Sequence, residues 1–159
     1  MGDFGDDVEL WIKDAQYKSK EVIRKTALDL FSRVIRRTPA DTGNHRGNWN
    51  ASIGDPVETY DSGVADRSGA VAIKQASAAL ASIKGDPGDV DIYLSNAGPA
   101  INVLEYGGYP TTSDNTPSNG PKTINGYSRK APRGMVRVSV EEFDQHFKKA
   151  AREEGFKDS

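Results

Sequence analysis

The chain has 159 residues, a formal net charge of −2, 36% hydrophobic residues, 16 glycines, 8 prolines and no cysteine. That suffices for one domain with one core, and it excludes disulfides, thiolate metal sites and general polyanion binding by the chain as a whole. No apolar run approaches the roughly 20 residues that span a bilayer. The acidic opening MGDFGDD does not read as a secretory signal, so the expectation is a product of the cytoplasm with no membrane contact.

In chain order, the first element reads as one long amphipathic helix, Asp6 to Arg37. Val8, Trp11, Ile12, Ala15, Val22, Ile23, Ala27, Leu30 and Val34 recur at spacings of three and four, the rhythm of a single buried stripe. Acidic residues lead and arginines trail, as the helix dipole favours. Thr38-Pro39 stops the helix, because proline disfavours helical geometry in the residue before it. At about 1.5 Å per residue the helix exceeds roughly 40 Å. That is long for so small a core, and part of it is expected to pack on another subunit. Asp41-Thr42-Gly43 reads as a turn in which the Asp41 carboxylate caps the backbone. Asn48 to Ile53 reads as a strand with Trp49 as core anchor.

Asp55 to Asp66 is acidic and turn-rich, with a candidate strand at Val57 to Tyr60. Arg67 to Lys84 is Ala-rich. Val71, Gln75, Leu80 and Ile83 approximate a helical face there, and Gly85-Asp86-Pro87-Gly88 ends it. Val90 to Ser95 alternates Val90, Ile92 and Leu94 with Asp91, Tyr93 and Ser95, the pattern of a half-buried strand. Pro99 to Tyr106 reads as a short helical turn closed by Gly107-Gly108. Tyr109 to Lys130, rich in Pro, Gly, Ser, Thr and Asn, reads as a long flexible loop ordered by a neighbour, with Tyr109 and Tyr127 as its anchors. A second amphipathic helix, Pro132 to Glu154, closes the chain. Pro132 suits a first turn, and Val136, Val140, Phe143, Phe147 and Ala150 keep the rhythm.

Charge is segregated. Residues 1–14 hold five acidic groups and one basic; residues 15–37 hold seven basic and two acidic. Residues 55–66 hold four acidic and no basic; residues 122–137 hold five basic and no acidic. Such blocks on a nearly neutral chain suggest faces that meet complementary faces.

The chemistry of catalysis is not visible. No GxSxG, Walker A or GxGxxG motif occurs. His45 and His146 lack a metal-ligand set (Glu142 stands four before His146) and read as surface groups. Asp55, Glu58, Asp61 and Asp66 read as solvated turn residues. No catalytic residue, metal or cofactor is therefore expected, and the chain reads as non-enzymatic. Arg33, Arg36 and Arg37 with Arg46 just beyond the turn are the remaining concentration of charge. They read as solvated surface with dipole complementarity, as contacts to a partner's acidic rim, or as contacts to nucleic-acid backbone.

Three segments, Thr38-Pro39-Ala40-Asp41-Thr42-Gly43 with Arg46-Gly47-Asn48-Trp49, Asn96 to Gly107 with its Leu104-Glu105, and Ala131-Pro132-Arg133-Gly134-Met135-Val136, carry a family likeness. In order and spacing the chain resembles the tailed-bacteriophage neck and tail-completion proteins related to the minor tail protein Z of lambda-like phages. The resemblance implies an α+β fold, with a small antiparallel sheet of three to four strands flanked by the long first helix and the last helix. It implies a single neck domain over 1–159 and a structural virion role: a homo-oligomeric ring, of six by family likeness, at the head–tail junction, assembled in the host cytoplasm. The partners would be the phage connector or adaptor and the tail terminator, with genomic DNA in the channel as a further candidate. A tail terminator or another connector ring protein, and a small nucleic-acid-binding protein, are the alternative readings. Asp41, Thr42, Gly43, Gly47, Trp49, Asn96, Leu104, Glu105, Gly107, Pro132, Gly134 and Met135 are its motif residues. Gly43, Gly47 and Gly107 are expected at positive backbone angles.

Overall fold

The computed structural model describes residues 4–109 and 123–156, with side chains from Val8 onward. The first helix, α1 (Phe4–Arg37), runs 34 residues without a break, about 50 Å at 1.5 Å per residue. It ends where Thr38 turns both its N–H and its hydroxyl onto the Val34 carbonyl, at 3.1 and 2.9 Å. The chain continues through α2 (Asn44–Gly47), β1 (Asn50–Ile53), α3 (Ala70–Ala81), a 3-10 turn at Pro87–Asp89, β2 (Ile92–Ser95) and α4 (Ile101–Tyr106). After the undescribed residues come β3 (Thr123–Ile124), β4 (Tyr127–Ser128), α5 (Val136–Glu141) and α6 (Phe143–Glu153).

The fold is α+β as expected, but the four strands among the described residues form two separate antiparallel pairs instead of one sheet of three or four. β1 pairs with β2 from Asn50 opposite Ser95 to Ile53 opposite Ile92. β1's outer edge is closed by a side chain: the Gln75 amide donates to the Ala51 carbonyl at 2.8 Å and accepts from its N–H at 3.0 Å. A glutamine on α3 thus stands where a third strand would pair. The expected strand at Val57–Tyr60 does not form. That segment is held instead by the Ser95 hydroxyl, which donates to the Val57 carbonyl at 2.8 Å and accepts from its N–H at 3.0 Å.

The C-terminal half of α1 forms the axis of the molecule, packed against α3 on one side and α5 and α6 on another. One core group gathers Val34, Ile35, Trp49, Ala72, Leu104, Ala131 and Met135; a second gathers Phe31, Ala51, Ala76, Leu80 and Ile83. The buried face of α3 is Ala72, Ala76 and Leu80, and Val71, which the sequence places inward, is 70% exposed. Small alanines there let α3 approach α1 closely.

The last helix departs from expectation at both ends. It starts at Val136, because Gly134 takes φ 81° and closes a turn back to the Ala131 carbonyl, leaving Pro132 outside the helix. It is also divided at Glu142, whose N–H bonds the Ser139 carbonyl three residues back and tightens the turn. The run from Tyr109 to Lys130 is not without structure. β3 and β4 form a hairpin across Asn125-Gly126, both at positive φ (51° and 79°), the geometry of a two-residue turn of the primed class. The rest of that run, residues 110–122, lies outside the described residues.

Candidate functional site

The three motif segments converge at the end of α1. Trp49, 5% exposed, donates its indole N–H to the Thr38 hydroxyl at 2.7 Å. The same hydroxyl already holds the last turn of α1, so the core tryptophan locks the helix end. The Thr42 hydroxyl accepts from the Asn44 N–H at 3.2 Å. Asp41, to which the sequence assigns the turn cap, reaches across to Lys130 in an ion pair. Gly43 sits at φ 85°, and a Cβ there would lie 2.5 Å from the Arg67 nitrogen. Gly47 corrects its expectation. It is the last residue of α2, with no positive angle; its role is space, since a Cβ would meet Val64 Cγ1 at 2.3 Å.

Amides then hold the acidic segment 55–66 onto this pivot. The Asn44 amide donates to the carbonyls of Asp61 and Ser62, both at 3.0 Å, and Val64 at 3.2 Å. Asn48 donates to the Asp61 carbonyl at 2.9 Å and accepts from its N–H at 2.8 Å. Asn96 donates to the His45 carbonyl at 2.7 Å and accepts from Gly98 at 2.9 Å. These asparagines bond mostly to backbone; the exception is the Asn44 Oδ1, which accepts from the Tyr60 hydroxyl at 2.5 Å.

Two carboxylates cap helices from outside. Glu105, 6% exposed, accepts from the N–H groups of Met135 (2.7 Å), Val136 (2.8 Å) and Arg137 (3.0 Å), the opening donors of α5, and from the Arg137 side chain at 3.2 Å. Burial pushes its carboxyl upward, but the N–H groups of Arg137, Met135 and Val136 and the Arg137 guanidinium outweigh that and hold it below the usual range. Gly134 is required beside it, since a Cβ there would lie 2.6 Å from the Glu105 carbonyl oxygen. Leu104 and Met135, on either side of this cap, enter the core with Trp49. Asp66 does the same for α3, accepting from Gly69 (2.9 Å), Val71 (2.9 Å) and Ala72 (3.1 Å). Its carboxyl too is held low, burial being outweighed by Ala72, Ser68, Gly69 and Val71. It is therefore a structural cap and not the solvated turn residue its surroundings in the sequence suggest.

The four arginines do not make one patch. Arg46 spends its guanidinium on three carbonyls, Thr38 (2.8 Å), Arg67 (2.6 Å) and Arg36 (2.8 Å), satisfying acceptors that the end of α1 leaves open. Arg33 and Arg37 pair with Glu142 at 3.2 and 2.8 Å, and Arg37 also donates to the Ser139 hydroxyl at 2.9 Å. The Arg37 hydrogen bond, with further attraction from Arg33, holds the Glu142 carboxyl low. Arg36 alone of the four is exposed, on the rim of an open groove of about 340 Å³ between α1 and α6. That groove carries Lys25, Arg36 and Lys149 against Asp29 and Glu153, a mixed lining unlike the single sign that would select an ion. His146 corrects the surface reading: it is 5% exposed, with Nδ1 2.7 Å from Asp29 and Nε2 3.6 Å from Glu142. Among the described residues no set of three or more His, Asp or Glu is placed to hold a metal ion, and no helix is long and apolar enough to cross a membrane.

Tyr109 and Tyr127 anchor the hairpin within the subunit. Tyr109 packs on the Trp49 core and donates its N–H to the Gly126 carbonyl at 3.0 Å. Tyr127 lays its ring over Gly107, at φ 78°, where a Cβ would come within 3.1 Å of it. Comparison of the chain with family models, curated proteins and solved structures finds no match in any of the three.

Proposed function

We propose that this chain is a structural subunit of a tailed-phage neck, forming a ring at the head–tail junction between the connector and the tail, and that it acts without catalysis. The observation that carries the reading is the use made of the three motif segments. Thr38 to Trp49, Asn96 to Glu105 and Ala131 to Met135 meet around one helix end, and their main polar side chains serve the fold: Asn44, Arg46, Asn48, Asn96 and Glu105 hold backbone, Trp49 holds Thr38, and Asp41 pairs with Lys130. Residues arranged this way shape a rigid body; they leave no nucleophile–base pair facing a cleft. The exposed N-terminal half of α1, with Leu10 65%, Trp11 70% and Tyr17 61% exposed, supports assembly with other chains. The nucleic-acid alternative is weakened because Arg33, Arg37 and Arg46 are occupied internally.

The test is the mass of the purified chain in solution followed by negative-stain imaging. A closed ring is expected, of six copies if the family likeness holds. A chain that stays monomeric at tens of micromolar, or a hydrolase activity abolished by one point substitution, would overturn the proposal.

A further inference from the structure

The two edges of the β1–β2 pair end differently. On β1 the Gln75 amide takes both main-chain groups of Ala51. That contact fixes the phase of the ladder. Ala51 faces outward, so Leu94 opposite it faces outward on the far side, because the residues of a non-hydrogen-bonded pair turn their N–H and C=O groups away from each other. The Gly54 N–H, which donates to the Asp91 carbonyl at 2.9 Å, agrees with this phase. Asp91, Tyr93 and Ser95 therefore address β1, while Ile92 and Leu94 address the outer edge. Val90 is extended too, at φ −128° and ψ 147°, and shares the outward phase. Among the described residues the outward main-chain groups of Ile92 and Leu94 meet no hydrogen-bonding partner, and no element but β1 packs along β2.

A strand edge of this kind is recognised by main chain, and the partner that fits is another extended strand. The edge is also complementary to itself. With Tyr93 on a twofold axis, Ile92 stands opposite Leu94 of a second copy; both are outward residues and exchange N–H···O bonds. Tyr93 meets its own copy, an aromatic pair on the face away from the core that Ile92 and Leu94 enter. Asp91 meets Ser95, so no two carboxylates oppose each other. Val90 to Ser95 also contains no proline and no lysine, the residues that commonly blunt an edge. This self-complementary register commits the occupant to a second copy.

We infer that two copies of this chain join through the outer edges of β2 across a twofold axis, giving a continuous antiparallel sheet in the order β1–β2–β2–β1. The inference goes beyond the ring reading and does not rest on it. Main-chain bonds set the geometry of the join, and the tyrosine pair adds to its stability.

The experiment uses the full chain. Because the chain has no cysteine, single-cysteine variants report the axis directly. Tyr93→Cys sets two thiols opposite each other at about 4.5 Å between Cα atoms, within reach of a disulfide, and mild oxidation should give a covalent dimer. Asp91→Cys lies about 14 Å from its own copy along the strand and should not cross-link. In hydrogen exchange the Tyr93 and Ser95 amides should be protected at every concentration, and those of Ile92 and Leu94 only once copies associate. Tyr93→Lys opposes two ammonium groups and should weaken association at least about tenfold, with an unchanged circular dichroism spectrum. Ile92 and Leu94 amides that exchange as fast in the associated state as in dilute solution would overturn the inference. So would an Asp91→Cys variant that cross-links as readily as Tyr93→Cys. A closed ring with those amides still exchanging leaves the ring reading standing and removes this one. The Tyr93→Cys cross-link, together with a wild type no larger than a dimer, sustains this inference and removes the ring. Wild type monomeric throughout would sink both.

Discussion

The two halves of the first helix carry the same apolar rhythm and end in opposite surroundings. From Val22 to Thr38 the stripe is buried against α3, α5 and α6, and Arg24, Arg33 and Arg37 are paired within the subunit. From Val8 to Tyr17 the same rhythm faces outward. Periodicity therefore reports that a face is meant to be covered, without reporting by what. The difference lies in what comes later in the chain: α6 is 11 residues long and reaches only to about residue 25.

The comparison can be broken at its buried end first. Trp49→Ala removes an indole that fills the core and locks Thr38, and is expected to cost about 3–5 kcal/mol of stability by denaturant unfolding. A cost below about 1 kcal/mol would mean that the helix end is not held from beneath. Glu105→Gln leaves the opening N–H groups of α5 facing an amide in place of a carboxylate, and should cost about 1–3 kcal/mol, with lost protection of the Met135 to Arg137 amides in hydrogen exchange.

Acid should act through the same caps. Glu105 and Asp66 are held below their usual values, so their stabilisation is full above the unfolded values of about 3.9–4.3 and is lost as pH falls through the folded ones. Chemical-denaturation midpoints should be flat from pH 7 to 5 and fall below about pH 4, less steeply in a Glu105→Gln, Asp66→Asn double variant. Reversing Arg33 and Arg37 to Glu sets two carboxylates against Glu142 and Asp29, and is expected to lower the melting temperature of the subunit itself. Assembly read without that control would be misattributed. At the exposed end, Trp11→Ser should change the stability of the isolated subunit by no more than about 0.5 kcal/mol, while affecting assembly. A larger loss of monomer stability would place Trp11 inside the fold after all.

The length of α1, the strands at Asn50–Ile53 and Ile92–Ser95, the short helix at Ile101–Tyr106 and the anchoring role of Trp49 were legible, because each rests on local periodicity or punctuation. The hairpin was legible in principle: Asn125-Gly126 between Ile124 and Tyr127 is a strong short-range turn signal, submerged in a stretch of loop-like composition. Other features depend on distant partners. Asp66 becomes a cap only because α3 begins four residues later with its first N–H groups turned onto that carboxylate. His146 is buried only because Asp29 and Glu142 converge on it. Glu142, where the helix divides, meets Arg33 and Arg37 from across the helix pair. Gln75 completes a strand edge that no pattern in α3 announces.

Arg46 closes on the carbonyls of residues 36, 38 and 67, and the same habit recurs at Asn44, Asn48, Gln75 and Glu105. A side chain that grips main chain is indifferent to which amino acid supplies it. Positions 36, 62 and 67 can therefore change identity without loosening the pivot, whereas the few gripping side chains and the glycines that admit them cannot. The architecture is written in a sparse alphabet, so two chains could share this body while agreeing mainly at those side chains and glycines. Substitutions at Arg36 or Arg67 should thus be silent for folding, even though the carbonyls of both are held by Arg46.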